Sequence, residues 1–202
     1  MIIAVVTSLV ILASRIAYAP VLYLTTTFYK EYGYDNLGAY ALMCYLIGDA
    51  IGSLFVDNLL KHIGSRIAMS LGTFLMLAQI STYLILINYP NTSEFNNDKW
   101  TVMGIHWVCS LCGGFGHIIQ QMAYIEYLRG CGKYHPKKKL TYFDWMSTAF
   151  YNIQWIISFP IAAAAIKRND GFDYMITLFS TMLFGSFIFL SMLPSPGQET
   201  PM

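Results

Sequence analysis

Charge is what this 202-residue chain has least of. Only 11% of it is Asp, Glu, Lys or Arg, against about 25% in ordinary soluble domains. A soluble domain of this length could not cover its surface with so few charges. The net charge of +1 excludes the concentrated basic face that a nucleic-acid partner demands. Four cysteines, Cys44, Cys109, Cys112 and Cys131, give no disulfide framework. Three of them lie in apolar stretches, where a thiol behaves as a small hydrophobe. Also missing are a Ser-His-Asp set, a paired-carboxylate arrangement and a phosphate-cradling glycine loop, so nothing argues for catalysis. No linker, low-complexity segment or soluble domain is visible. An uncleaved first span is expected, with a signal peptide as the lesser alternative. The apolar start does end in Ala17-Tyr18-Ala19, but it lacks a basic leader, Arg15 interrupts it, and Pro20 would follow the cut.

What the chain does have is apolar residues, 56% of the total, gathered in blocks. A spanning helix needs roughly 20 mostly apolar residues to cross a hydrocarbon layer about 30 Å thick. The blocks predict spans over residues 2–26, 37–60, 67–87, 100–128, 143–166 and 174–193. The expected fold is an all-α membrane protein: one six-helix domain over residues 1–193, with a polar tail, 194–202, opened by Pro194. Polar connectors are expected at 29–36, 61–66, 89–99 and 129–139.

Six spans put both termini on one side, together with the 61–66 and 129–139 loops, which hold seven Lys or Arg. The opposite loops hold only Lys30, Lys99, Lys167 and Arg168. The positive-inside rule then faces the termini toward the cytoplasm, or toward the matrix of a mitochondrion.

Two motifs carry a family resemblance. Gly48-Asp49-Ala50-Ile51-Gly52, followed by Leu59-Leu60-Lys61-His62-Ile63-Gly64-Ser65-Arg66, resembles the second helix, tight connector and third helix of the major facilitator superfamily. Gly113-Gly114-Phe115-Gly116, then Gln120, Gln121 and Tyr124, is similar to the glycine-rich fourth helix of its uncoordinated-ninety-three-like branch, which includes ion-channel regulatory proteins. The signature is degenerate, since Asp57 is followed by Asn58 rather than a basic residue. The resemblance implies one six-helix half of a transport fold that elsewhere comprises two such halves around a substrate path.

The candidate sites follow from cost. A charge at membrane depth must face a partner, a bundle interior or water. Asp49 is therefore read as pairing with Arg15 or a basic residue at the cytoplasmic end, and Arg15 as snorkelling to the nearer interface or pairing with Asp49 or Glu126, with a cation or proton site at Asp49 and an anion site at Arg15 as the functional alternatives. Glu126 is expected to pair with Arg129, three residues on. Gln120, Gln121, Asn152 and Gln154 are mid-span amides that bond across helices or line a vestigial path. Gly48, Gly52, Gly113, Gly114 and Gly116 are read as close-packing positions. His106, Cys109, Cys112 and His117 share one helix, which cannot direct four side chains at one ion, so no cofactor or metal is expected. Arg129, Lys137, Lys138 and Lys139 suit anionic lipid headgroups. Asn91-Thr92-Ser93 is a glycosylation sequon that matters only on a secretory route.

The expected function is a non-catalytic accessory subunit of a larger membrane complex, with lipids and other membrane subunits as partners. A mitochondrial respiratory assembly in the inner membrane is the expected setting, with the plasma membrane or an endomembrane as the alternatives. A small secondary transporter working as a homodimer, or a channel-regulatory protein, is the alternative function.

Overall fold

A computed structural model describes residues 2–31, 34, 36–88, 99–133, 140–167 and 172–194. Five helical elements follow one another: α1 (Ile2–Glu31), α2 (Leu37–Asn88), α3 (Lys99–Lys133), α4 (Leu140–Lys167) and α5 (Phe172–Met192). Among the described residues, all regular structure is helical. Among the described residues, α1, α2, α3 and α5 are each long and apolar enough to cross a membrane. Such helices mark an integral membrane protein, because only lipid rewards apolar side chains on the outer surface of a bundle. Leu54, Trp100 and Met192 show how bare that surface is, each more than three-quarters exposed.

At 52 residues, α2 would be about 78 Å long if straight, more than twice a hydrocarbon layer. It is not straight. Gly64 breaks it with φ 77° and ψ 158°, a backbone region open essentially to glycine alone. Packing against α3 shows what the break does. A Cβ at Gly48 would strike the Leu111 carbonyl, and one at Gly52 would strike Ile118, so residues 37–63 ascend in step with α3. A Cβ at Gly113 would strike Gln79, while one at Gly72 would meet Gly116 and Gln120, so residues 65–88 run against it. The chain therefore doubles back at Gly64. The expected connector at 61–66 is corrected by this: helix occupies it on both sides of Gly64, because one glycine with a positive φ makes the reversal that a loop was expected to make.

The other expected boundaries shift outward. Helix α1 continues through Pro20 to Glu31, and α3 extends to Lys133. The span expected at 143–166 lies within α4.

Helix α3 lies against both limbs of α2, while α1 packs on α4 and α5. The buried apolar side chains form two clusters. One gathers Leu24, Phe28, Met76 and Phe179, and the other Ile11, Met69, Ile119 and Leu190. Between them in chain position, on four of the five helices, lie polar residues: Ser14 and Arg15 on α1, Asp49 and Thr73 on α2, His117 on α3 and Gln154 on α4, with Gln120 of α3 at the edge of the second cluster.

At the far end the fold is pinned by backbone capture. Arg66 Nη1 donates to the Leu193 carbonyl at 2.9 Å, and the Tyr127 hydroxyl donates to that of Pro194 at 3.1 Å. Carbonyls past the end of α5 thereby gain the donors that the helix itself cannot supply. Residues 195–202 of the expected tail, and Asn91 to Ser93, lie outside the described residues.

Candidate functional site

The polar layer begins with Arg15, in the middle of α1 and only 4% exposed. Its Nη1 lies 3.4 Å from His117 Nε2, and His117 Nδ1 lies 3.0 Å from Asp49 Oδ1. One protonation pattern satisfies both contacts. Neutral His117 carries its proton on Nδ1 and donates to the carboxylate, while its Nε2 lone pair accepts from the guanidinium. The expected direct pair between Arg15 and Asp49 is corrected accordingly: an imidazole separates the two charges. Exposure is graded along the chain of groups, with side-chain values of 17% for His117 and 35% for Asp49.

Aromatic rings frame the three. Arg15 Cζ sits 5.7 Å from the Tyr151 ring centroid, within cation–π range. The Tyr18 ring stacks on His117 with centroids 6.4 Å apart, and Tyr45 lies 5.9 Å from it. Gly114 makes the placement possible. A Cβ there would meet the Tyr45 carbonyl and the Asp49 amide nitrogen, so the absence of a side chain brings the backbone carrying Asp49 against α3. His117 lies three residues beyond, on the neighbouring turn.

Amides tie the layer together. Gln120 Nε2 donates to Ser14 Oγ at 3.1 Å and to Thr73 Oγ1 at 2.8 Å, linking α1, α2 and α3 through one side chain. Tyr18 donates to Gln79, whose Nε2 reaches Ser110 at 3.5 Å. His106 lies 2.5 Å from the Tyr29 hydroxyl.

Two cavities flank Arg15. The smaller, about 140 Å³, lies between α1, α3 and α4 and includes Gln121, Tyr124 and Ser147. The larger, about 330 Å³, is walled by Tyr18, Tyr23, Tyr45 and Trp155 and also reaches His117 and Gln154. Both include Arg15. Three buried polar atoms on the larger cavity's lining residues have no hydrogen-bond partner among the described residues: Arg15 Nη2, the Tyr23 hydroxyl and Gln154 Oε1.

Other expected sites fall elsewhere. Arg129 pairs with Asp144 of α4, Nε to Oδ1 at 3.2 Å, at an exposed site. The expected Glu126–Arg129 pair is corrected: among the described residues no such ion pair forms, and Glu126 is exposed. The carboxylate of a neighbouring helix reaches the guanidinium instead. Lys137, Lys138 and Lys139 lie outside the described residues. His117 is the residue that sequence reasoning misplaced. It was weighed as a metal ligand alongside its helix neighbours, whereas its contacts lie on α1 and α2. A histidine at membrane depth, between one lone cation and one lone anion, was the signal.

Compared with family models, curated proteins and solved structures, the chain shows no match.

Proposed function

We propose that this chain is a six-span membrane bundle, the two limbs of α2 counting as separate spans, and that it acts as one half of a solute carrier of the facilitator type. The Arg15–His117–Asp49 layer is its solute- or proton-handling centre. One observation carries the reading: a charged chain of groups at mid-helix depth adjoins an aromatic cavity, and residues lining that cavity carry buried polar atoms without a partner among the described residues. A bundle whose only task is structural gains nothing from that arrangement, since apolar packing of similar volume stabilises at least as well as a buried ion pair. Ionisable groups within a membrane bundle mark ion and substrate pathways far more often than plain scaffolding. The reaction is transport rather than catalysis, and a second six-helix body, such as a second copy of the chain, completes the path.

The accessory-subunit reading keeps one observation in its favour, the wide apolar surface that neighbouring subunits could cover as well as lipid. Cysteine accessibility separates the two. In a background with the four native cysteines replaced, single cysteines at Leu42 and Thr26, beside the larger cavity, are treated in native membranes with a membrane-impermeant thiol reagent. The carrier reading expects both to react faster than a cysteine at lipid-facing Leu54, because thiolate forms only in water. Reaction no faster than at Leu54, with the chain migrating in a large multi-subunit band, would replace the carrier reading by the subunit one. Fractionation of the same membranes identifies the compartment.

A further inference from the structure

Arg15 is less occupied than its burial allows. Among the described residues, no carboxylate lies within ion-pair range of it, because Asp49 is engaged by His117. Nη1 has the His117 lone pair, and the face of the guanidinium has Tyr151. Nη2 is buried with no partner. A buried cation with an open donor edge is costly until an anion fills it.

The surroundings narrow the kind of anion. Next to Arg15 the larger cavity offers the rings of Tyr18, Tyr23 and Trp155 and the side chain of Leu22. Hydrated inorganic ions would leave these walls without a counterpart. At about 330 Å³ the cavity is at the low end of the range for small-molecule sites, about 300–1,000 Å³. Guanidinium matches carboxylate geometry through parallel N–H donors, while aromatic walls match an apolar body. Tyr23 and Gln154, which line the same cavity, also carry a buried hydroxyl and a buried Oε1 without a partner among the described residues.

We propose that Arg15 and the aromatic cavity beside it bind a small organic monocarboxylate, with the carboxylate on the open edge of the guanidinium and its apolar or aromatic body between Tyr18, Tyr23 and Trp155. This names the solute class for the carrier proposed above and rests on that reading.

The test is equilibrium dialysis of the purified full chain in detergent with radiolabelled 3-phenylpropanoate, using 3-phenylpropanamide as the uncharged competitor. Saturable binding is expected, with the amide weaker by about tenfold or more, the scale of a hydrogen bond to a charged group. Arg15→Lys, which keeps the charge but loses the fork, weakens binding by a similar factor. Leu22→Trp puts bulk into the cavity while replacing no polar side chain, and it abolishes binding while leaving the elution profile unchanged. Equal uptake of acid and amide, or uptake untouched by Leu22→Trp, would be detergent partitioning and would overturn the site even if the Arg15 variant fails to fold. The assay needs neither flux nor a second unit. A cavity that reacts with the aqueous thiol reagent yet shows no carboxylate preference removes this site and leaves the carrier reading standing. An unreactive cavity removes the carrier reading itself.

Discussion

Within the polar layer the three ionisable side chains are not equivalent, because their exposure differs. Arg15 is buried and depends on its neighbours, whereas the Asp49 carboxylate is 35% exposed and keeps part of its solvation. His117 is the joint, satisfying one Arg15 nitrogen and one Asp49 oxygen at once. Removing it leaves Nη1 as orphaned as Nη2 already is. His117→Ala should therefore cost about 2–3 kcal/mol, the penalty for stripping a buried charged group of a hydrogen bond. Asp49→Asn should cost less than about 1 kcal/mol, since an amide oxygen still accepts from His117 and a partly exposed charge contributes little. Denaturation midpoints of the purified variants in detergent check the ordering. The reverse order would make the carboxylate, not the imidazole, the anchor of the layer.

The elements are held by glycines that differ sharply in what surrounds them. At Gly114 an added Cβ would run into the backbone of α2 at Tyr45 and Asp49, and at Gly104 it would meet nothing within 4 Å. Both sit on α3. Gly114→Val is expected to force α2 and α3 apart, costing about 3 kcal/mol or more, at the upper end of overpacking penalties because backbone cannot step aside. Gly104→Ala should be neutral or stabilising by up to about 1 kcal/mol through helix propensity. Thermal unfolding of the two variants side by side gives the answer, and equal losses would mean that the close approach is not what holds this pair. Here the limits of sequence reasoning are physical. The helices were legible because lipid imposes a minimum apolar length, and the glycine clusters were legible as contact points because few other causes place them in a span. Which helix each glycine faces was not, since that is set by tertiary register. The same blindness hid the bridging role of His117: a histidine at membrane depth signals that it needs partners, but not that Arg15 and Asp49 on two other helices are the ones. The reversal at Gly64 was anticipated as a loop and achieved by one residue.

At the level of the whole molecule, the doubling back at Gly64 decides how many times the chain crosses the membrane. If both limbs of α2 cross, His62 and Asn91 lie on opposite faces, and both basic segments, 61–66 and 129–139, share the side of the N-terminus. Electrostatics favours that arrangement, because seven Lys or Arg then sit on one side against four on the other. The alternative, with only one limb crossing, strands the other apolar limb in water. Exposing a 20-residue apolar limb is costly, about 25 cal/mol for every Å² of apolar surface. Single cysteines at His62, Asn91, Lys138 and Asp170, in the cysteine-free background, should therefore label in two pairs from opposite faces of sealed vesicles. His62 and Lys138 should react from one side, and Asn91 and Asp170 from the other. His62 and Asn91 reacting from the same face would mean that the limbs of α2 do not each cross, and with that the six-span bundle and the half-carrier built on it would both fall.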